Sequence, residues 1–404
     1  MKNKLAGMLA ITIAAGAIAG CAAAPAAPAA PAQEAVEEAA AEAEEKVEEA
    51  VEEAVEEVEA AVEEQTEAAA SGEKHRQFPE GAKAAETESA EPLKIIVTTT
   101  HKPGAASYQC EQFIQQVFDE KAPGMFNFEM YDSATLFKTD AEFPAILAHE
   151  ANISFIQPSY MYDNGLPWAN MLDMGYLFDS VDHMKATFDP EGEIGAYLQQ
   201  AIWDEFHVMT FGCDYIGTRD LWLAEDKDIN TPEDCEGLTI RMPTSASFVQ
   251  LGEALGFNVT PLDVSEVYLA METGLIDGHE NQIFSTYAQG QFEVCKTLVF
   301  IEHMITPNFI TLDGDIWEQM TTEQQEIFYD CMCEARDLTI EWALEEEQNL
   351  LKEAKDTYNI RFQYPDKAPF KEKVQAAYLS NKDISGKWDL ELLEKINALG
   401  DSMK

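Results

Sequence analysis

Two arginines in the middle of the chain lie where apolar runs give way to turns. Arg219 follows the run Val208–Phe211, and Arg241 ends the run 238–240 just before Met242-Pro243, where proline cannot continue a strand ladder. Side chains at the carboxyl ends of parallel strands face the ligand crevice of open α/β sheets. A guanidinium there can bind a carboxylate through two hydrogen bonds. The spacing alone is equally compatible with each arginine pairing with one of the many nearby acidic residues.

The sequence contains no motif typical of catalysis or metal binding. His149-Glu150 and His279-Glu280 lack the second histidine that a zinc-protease helix requires. It has no glycine-rich phosphate loop and no strand-turn-helix serine nucleophile. Cys331 and Cys333 lie two apart on a predicted helix, so their side chains point in different directions and form a poor metal pair. We therefore predict a binding protein rather than an enzyme, with no cofactor and no metal.

The composition restricts the possible ligands. The chain has 75 acidic residues against 26 lysines and arginines, a formal net charge of −49. This charge argues against nucleic acid, whose phosphates need clustered basic residues. It also opposes anionic ligands, so an anion site would depend on a few well-placed arginines. The cysteines beyond residue 93 are irregularly spaced in a body that needs no disulfides, and we predict free, mostly buried thiols.

The first 21 residues have the features of an export signal. Two lysines precede an apolar run from Leu5 to Ala19, which is shorter than the roughly 20 residues of a spanning helix. Ile18-Ala19-Gly20-Cys21 resembles the bacterial lipobox, which implies removal of residues 1–20 and lipidation of Cys21. The alternative is an ordinary signal peptide with a cysteine there by chance. A diacyl anchor would supply the two chains that stable attachment requires. We expect an extracytoplasmic protein, anchored to the outer face of the cell membrane or held in the periplasm.

Residues 21–92 have the composition of a stalk and linker. Residues 22–32 alternate proline with alanines, which favours an extended, semi-rigid chain. Residues 33–70 are almost entirely Glu, Ala and Val, with valines at a helical period and only Lys46 to offset the glutamates. A single helix, a weak coiled coil and a charged, partly disordered spacer all remain open. This segment provides reach and not chemistry.

Residues 93–404 are long enough for two lobes with their own cores. The predicted elements alternate between strands at 93–99, 126–131 and 153–156 and helices at 107–120 and 140–150. This alternation is typical of a parallel α/β sheet, and it starts again with strands at 208–211 and 238–242. A capping box at Thr321–Gln324 opens a helical pattern that continues to about Tyr358. A helix of that length could bridge two lobes.

A series of motifs between residues 236 and 281 resembles one protein family. It is the DctP-type extracellular solute-binding proteins of tripartite ATP-independent periplasmic (TRAP) transporters. The motifs are Glu236-Gly237-Leu238-Thr239-Ile240-Arg241-Met242-Pro243, Leu255-Gly256, Thr260-Pro261, Ser265-Glu266-Val267-Tyr268, Thr273-Gly274 and Asp277-Gly278-His279-Glu280-Asn281. The similarity covers residues 93 to about 370. It implies an α/β, two-lobe periplasmic-binding-protein-like (type II) fold with a long lobe-spanning helix, preceded by the helical or disordered acidic stalk. Lobe 1 would comprise 93–216 and 306–345, and lobe 2 would comprise 217–305 and 346–404.

The resemblance also implies a ligand site. Arg241 occupies the position of the arginine that pairs with the ligand carboxylate in this family, and Arg219 occupies a second basic position. Asn281 would hydrogen-bond the same carboxylate. Gln157 matches a ligand-facing polar position. The sequence departs from the usual pattern at Gln282, where proline is common, and His279 replaces a common glutamine.

Other residues are weaker candidates for the rest of the pocket. His101 and Lys102 follow the first predicted strand and could hold a second acidic group, although a solvated turn is an equally good interpretation. Trp222 and Tyr160 could contact the ligand, but tyrosines and tryptophans more often pack in a core or hinge.

The implied function is capture of a small organic acid in a cleft between the lobes and its delivery to TRAP membrane subunits. The motifs leave the acid open among C4-dicarboxylates, keto acids, sugar acids and aromatic acids. Two other functions fit the sequence. One is a ligand-presenting subunit for a membrane sensor kinase, and the other is a surface adhesin or scaffold lipoprotein whose acidic stalk is the functional part.

Overall fold

The computed structural model describes residues 78–404, apart from the side chains of Asp383 and Ile384. The predicted signal peptide, the lipidation site at Cys21 and the acidic stalk therefore lie outside the described residues. None of the helices within 78–404 has both the length and the apolar character needed to cross a membrane.

The described residues form one mixed sheet of nine strands. The strands are β1 Leu93–Thr98, β2 Phe126–Tyr131, β3 Ile153–Ile156, β4 Val208–Leu223, β5 Thr239–Met242, β6 Asn258–Pro261, β7 Gly278–Gln282, β8 Thr297–Asp313 and β9 Arg361–Gln363. Their order is β2-β1-β3-β8-β4-β7-β5-β6, with β9 beside β8. We call β1–β3 the first half-sheet and β5–β7 the second half-sheet. Each half-sheet is parallel, and the long strands β4 and β8 run antiparallel to each other between them.

Helices connect and cover these strands. They are α1 Ala106–Lys121, α2 Thr139–Leu147, α3 Pro158–Asp163, α4 Val181–Phe188, α5 Glu193–Phe206, α6 Ala246–Leu255, α7 Val267–Glu272, α8 Ile283–Ala288, α9 Gly314–Trp317, α10 Thr322–Asp356, α11 Ala368–Ser380, α12 Lys382–Ser385 and α13 Leu390–Ser402. Short 3-10 turns lie at Ala169–Asp173, Pro232–Cys235, Val264–Glu266 and Gln291–Val294.

The core around the first half-sheet follows from the apolar pattern of β1 and α1. Ile95 and Val97 are fully buried in β1 because alternate side chains of a strand share one face. Phe118 of α1 packs edge-to-face on Phe328 of α10, with 4.9 Å between the ring centroids. Burying one such aromatic side chain stabilises the fold by about 2–3 kcal/mol.

The long helix α10 joins the two parts of the sheet. It begins after Thr321, whose side chain forms the predicted capping box with Gln324, and continues for 35 residues. Its first half packs on α1 and β4. Further along, Trp342 contacts Phe284 of α8 with 5.6 Å between the ring centroids. The lobe-spanning helix that the resemblance implies is confirmed.

The sequence prediction was wrong about the long strands. It ended one strand at residue 211 and found none at 297–313, whereas β4 runs to Leu223 and pairs with β8 along most of its length. Glycines and charged residues interrupt the apolar pattern of β4, and register shifts break its ladder in three places. Gly217, with φ +115, occupies one of these irregularities, where an added Cβ would lie 2.7 Å from Gln282 Cβ. Such bulged, mostly buried strands carry no clean two-residue period.

The six cysteines within residues 78–404 are free thiols, as predicted, and five of them are buried. Burial raises the pKa of the Cys331 thiol to about 11, so the thiolate is disfavoured at neutral pH. These cysteines act as small apolar residues of the core.

Candidate functional site

A cleft opens where the carboxyl ends of the parallel strands approach one another. Its empty volume, including the part open to solvent, is about 690 Å³. His101 and Gln157 line it from the ends of β1 and β3, and Arg219, Arg241 and Asn281 line it from β4, β5 and β7. The structure therefore brings five of the six predicted ligand-binding residues to one cavity.

Arg241 is a buried cation without a protein counter-ion in the described part of the chain. Its side chain is 4% exposed, and its Nε donates to the carbonyl of Leu262 at 2.9 Å. Among residues 78–404, no carboxylate lies within ion-pair distance of its guanidinium. Burial lowers the pKa of Arg241 to about 10, so the group remains charged at neutral pH. Its two terminal nitrogens are the free donors that a carboxylate needs.

Arg219 lies beside the same cleft, but the protein neutralises its charge. Nε and Nη2 donate to the two carboxylate oxygens of Glu280 at 2.6 and 2.7 Å, a bidentate ion pair. Nη1 donates to Gln282 Oε1 at 2.8 Å, and the guanidinium lies over the Phe248 ring, 4.8 Å from its centroid. Both partners of the ion pair are buried, at 2% and 0% exposure.

A histidine completes the neutral network around Glu280. Nε2 of His303 lies 2.9 Å from Glu280 Oε2. Burial opposes ionisation of Glu280, but the Arg219 guanidinium more than offsets it and holds the pKa of that carboxyl well below its usual range. Burial lowers the pKa of His303, so the imidazole is neutral and donates from Nε2. One positive and one negative charge therefore cancel, and the network links β4, β7 and β8.

Asn281 presents its side chain to the cleft from β7. Its Oδ1 accepts from the backbone N–H of Gln282 at 3.1 Å. Its amide nitrogen has no protein partner among residues 78–404, so two N–H donors remain available beside Arg241.

Trp222 does not line the cleft. It is 1% exposed and stacks on Phe292 at 5.4 Å, and its indole Nε1 donates to the Asn281 carbonyl at 2.9 Å. The structure places this residue behind Asn281, where it supports the strand. His279 lies on the same buried side, stacked on Trp222 at 6.4 Å. Of the two departures from the family pattern, only Gln282 faces the cavity.

The wall from the first half-sheet is polar and mostly uncharged. Burial lowers the pKa of His101 to about 4, so its imidazole is neutral, and its buried Nδ1 has no partner in the described chain. Gln157 precedes α3 and turns toward the cavity. Lys102 Nζ donates to Gln289 Oε1 at 2.7 Å, which links the loop after β1 to the end of α8.

Several cleft residues escaped the sequence prediction. Thr100, Thr139 and Ser285 add hydroxyl groups to the lining, and Asp263 adds a carboxylate. Thr100 directly precedes His101 at the end of β1, so the rule that placed His101 in the crevice could also have found it. Ser285 lies in a helix that follows β7, and no pattern in its neighbourhood marked it.

This fold and this cleft define a two-lobe solute-binding protein of the periplasmic-binding type. The family model described as "Bacterial extracellular solute-binding protein, family 7", DctP, matches residues 97–383. The chain belongs to this family, the solute-binding proteins of TRAP transporters. Members of the family are extracytoplasmic solute receptors and not enzymes.

Similar proteins share the fold over most of their length. The sialic acid-binding periplasmic protein SiaP of Vibrio cholerae is 24% identical over 275 residues, 68% of this chain and 84% of that protein. A TRAP periplasmic solute-binding protein from Roseobacter denitrificans, solved with bound 3-deoxy-D-manno-oct-2-ulosonic acid, superposes with a TM-score of 0.72 at 25% identity. It matches 77% of this chain and 100% of its own. A protein from Chromohalobacter salexigens with bound D-glucuronate has the same fold, with a TM-score of 0.69 at 24% identity over 76% of this chain and 99% of its own. The α/β, two-lobe fold that the sequence resemblance implied is confirmed for the described residues, whereas the acidic stalk stays a prediction.

Proposed function

We propose that this protein captures a small sugar acid by its carboxylate and delivers it to TRAP membrane subunits. The observation that carries the proposal is the buried charge of Arg241, which has no ion-pair partner among residues 78–404, beside amide donors of Asn281 that have no protein partner there.

The charge balance of the cleft favours an anion. A buried guanidinium that forms no ion pair is unfavourable by several kcal/mol, because burial removes solvent and, among residues 78–404, Arg241 gains only one carbonyl partner. A ligand carboxylate would supply two charge-assisted hydrogen bonds in a site that excludes most solvent. Binding therefore relieves an electrostatic penalty that the free protein carries, and this offsets the repulsion from a chain of net charge −49.

The remaining lining favours hydroxyl groups over a second carboxylate. Arg219 is already neutralised, and His101 is uncharged. The hydroxyls of Thr100, Thr139 and Ser285 can both donate to and accept from the hydroxyls of a sugar. Lys102 is the remaining cation at the cleft, and it contacts Gln289. Sialic acid, 3-deoxy-D-manno-oct-2-ulosonic acid and D-glucuronate, the ligands named for the similar proteins, all combine one carboxylate with several hydroxyls.

The N-terminal segment completes the proposal. Lipidation at Cys21 would hold the receptor at the membrane, and the acidic stalk would give it reach. Tethering raises the effective concentration of a receptor near its membrane partner without any new contact. The order in the chain, with lipobox first, spacer next and binding body last, fits this arrangement.

Isothermal titration calorimetry tests the ligand assignment. D-glucuronate, 3-deoxy-D-manno-oct-2-ulosonic acid and N-acetylneuraminic acid are titrated into the protein, with succinate and D-glucose as a dicarboxylate and an uncharged sugar. We expect saturable binding of at least one sugar acid and none of glucose. Arg241→Ala should abolish it, whereas Arg361→Ala, which removes a surface arginine paired with Asp226 and Asp228, should not. Binding of succinate in preference to every sugar acid would overturn the sugar-acid assignment.

Two further measurements test delivery and anchoring. Proteoliposomes that contain the TRAP membrane subunits of the same cell should take up the radiolabelled sugar acid only when this protein is added. In detergent phase separation, the protein made in cells should partition with the detergent, and the Cys21→Ser variant should stay in the aqueous phase. A wild-type protein found wholly in the aqueous phase would contradict the lipid anchor.

A further inference from the structure

A second polar cluster lies at the end of the first half-sheet opposite the cleft. His149 follows α2, His207 ends α5, and Asp313 and Asp315 lie at the junction of β8 and α9. Strand β3 separates this cluster from the ligand cleft, a distance of about 13 Å for four residues. We propose that these four residues form a binding site for a divalent transition-metal ion of the zinc type.

The spacing of the donor atoms fits one ion. His149 Nδ1 lies 3.0 Å from both carboxylate oxygens of Asp313, and one donor atom from each of His149, Asp313 and Asp315 lies within 4.8 Å of the others. Ligand atoms bound tetrahedrally to Zn²⁺ at roughly 2.1 Å lie about 3.4 Å apart. His149 Nε2 lies 3.8 Å from Asp315 Oδ2, so the exposed His149 and Asp315 side chains must reorient to bring these three donors around one ion, with water to complete the coordination.

His207 lies beside these three donors and is the fourth residue of the proposed site. Its Nε2 lies 3.4 Å from Asp315 Oδ1, so it can bind the ion directly or hold Asp315 in the orientation that binding needs. Gly314 permits this placement. A Cβ at position 314 would lie 2.6 Å from His207 Cδ2 and 2.8 Å from its Nε2. Any larger residue there would push the imidazole away from the cluster.

The cluster combines one fixed ligand with accessible ones. Asp313 is buried at 3% side-chain exposure, and it accepts from the backbone N–H of Asp315 at 3.0 Å and from Asn152 Nδ2 at 3.4 Å. The side chains of His149, His207 and Asp315 are 54%, 41% and 59% exposed. An ion can therefore enter from solvent and meet a pre-positioned carboxylate.

The composition of the cluster favours a metal over isolated ion pairs. Two imidazoles and two carboxylates are the nitrogen and oxygen ligands that Zn²⁺ and similar ions take, whereas Ca²⁺ and Mg²⁺ prefer oxygen alone. A His–Asp ion pair requires a protonated imidazole, but a metal binds the neutral ring and so remains bound at and above neutral pH. The negative charge of the chain attracts Zn²⁺-type ions as well as Ca²⁺ and Mg²⁺, so the ligand atoms and not the overall charge decide which ion binds. The ion would join the ends of α2, α5 and β8.

Zinc titration of the full-length protein, prepared without a histidine tag and freed of metal by a chelator, tests the site. We expect one ZnCl₂ equivalent to bind in competition with a fluorescent chelator and to raise the melting temperature. CoCl₂ should give the visible absorption bands of a tetrahedral cobalt(II) complex. His149→Ala and Asp315→Asn should each weaken zinc binding at least about tenfold and remove the melting shift.

Asp356→Asn is the matched control, since it neutralises an exposed aspartate elsewhere on the surface, at the end of α10. It should leave zinc affinity unchanged. Absence of saturable binding, or equal affinity in wild type and His149→Ala, would overturn the proposal. An equal loss in the Asp356→Asn control would do the same, because it would show diffuse attraction to an acidic chain. Asp315 is exposed, so its substitution leaves the test valid if His149→Ala folds poorly.

Discussion

Arg219 and Arg241 make the most informative comparison in the molecule. Both are buried and both face one cleft from neighbouring parts of the sheet. Arg219 forms a bidentate ion pair with Glu280, whereas Arg241 has a single carbonyl partner among residues 78–404. The same residue type therefore serves two purposes. Arg219 holds strands together, whereas Arg241 leaves its terminal nitrogens without a protein partner in the described chain, as the proposed carboxylate site requires.

The difference bears on how a strongly acidic protein could perform the acid binding that we propose. Nearby carboxylates are abundant, so an arginine stays unpaired only where the fold keeps them away. Here Glu280 is already bound by Arg219 and His303, and Asp263 is engaged by Ser265. The ion pair thus has a second effect, because it engages both Glu280 oxygens with Arg219 and leaves Arg241 without a direct hydrogen bond to that carboxylate.

The largest expected effect is on stability, upon loss of Arg219. Arg219→Met leaves the Glu280 carboxylate buried without its cation, so we expect the free energy of unfolding to fall by about 3–5 kcal/mol. Urea denaturation followed by tryptophan fluorescence measures it. The double variant Arg219→Met/Glu280→Met removes both charges and should be more stable than Arg219→Met alone. If Arg219→Met is as stable as the wild-type protein, the Arg219–Glu280 ion pair has no structural role.

Loss of Arg241 should weaken ligand binding and leave the stability of the fold unchanged or higher, the opposite of the effect expected for Arg219. Arg241→Met removes a buried charge that has no ion-pair partner among residues 78–404, so the free energy of unfolding should stay the same or rise. Affinity for the sugar acid should fall at least about 100-fold, or about 2.7 kcal/mol. Calorimetry and urea denaturation on one preparation give both numbers. Destabilisation equal to that of Arg219→Met would erase the distinction between the two arginines.

The pH dependence of stability separates a paired carboxyl from an unpaired one. Burial raises the pKa of Glu111 to about 8 from an ordinary value of 4.5, and neither of its oxygens has a hydrogen-bond partner in the described chain. The stability that protonated Glu111 contributes to the folded state is fully present below pH 4.5, and it is lost as the pH rises through about 8. The pKa of Glu280 is lowered in the folded state. The stability that its ionised carboxylate contributes is therefore present above pH 4.5 and is lost only in acid.

Unfolding experiments between pH 5 and pH 8 measure this contrast. We expect the free energy of unfolding to fall toward pH 8, with Asp173 and Asp214, whose pKa values burial raises to about 7, adding to the slope. Glu111→Gln should reduce the slope of the profile without removing the part that Asp173 and Asp214 contribute. Glu280→Gln should lower stability at both ends of the range without changing the slope. A slope untouched by Glu111→Gln would refute the assignment of that titration.

The smallest expected effect concerns the link across the cleft mouth. Lys102→Met removes the hydrogen bond to Gln289, which joins a side chain exposed to solvent to a neutral amide. A bond of this kind contributes about 1 kcal/mol, so ligand dissociation should accelerate less than about tenfold. Stopped-flow fluorescence measures the rate. Lys94→Met, which removes an exposed ion pair with Glu129 on β1 and β2, should leave it unchanged.

The strands of the two half-sheets show that the local apolar pattern of the sequence can predict where a short strand begins and ends. Strands β2 and β3 have the predicted boundaries, and β1 and β5 differ by one residue at an end. These strands are short, apolar and bounded by turns, so their period can be read from the sequence. Most of β4 and all of β8 were missed. Both strands are irregular and buried, and each is held in place by its pairing with the other. Their pairing joins residues between 74 and 105 positions apart, from Leu223 with Thr297 to Val208 with Asp313, which no local pattern reports.

The same contrast between local pattern and long-range pairing explains which features of the two proposed sites could be predicted from the sequence. Arg241 could be located by sequence alone, since a strand that ends before a proline places its last side chains at the crevice. Only the tertiary structure decided that Arg219 pairs with Glu280, 61 residues away, and that Trp222 lies behind Asn281. It also brought His149 and His207 to Asp313. A strand boundary depends on neighbouring residues, whereas the partner of a buried charge depends on the register between distant strands.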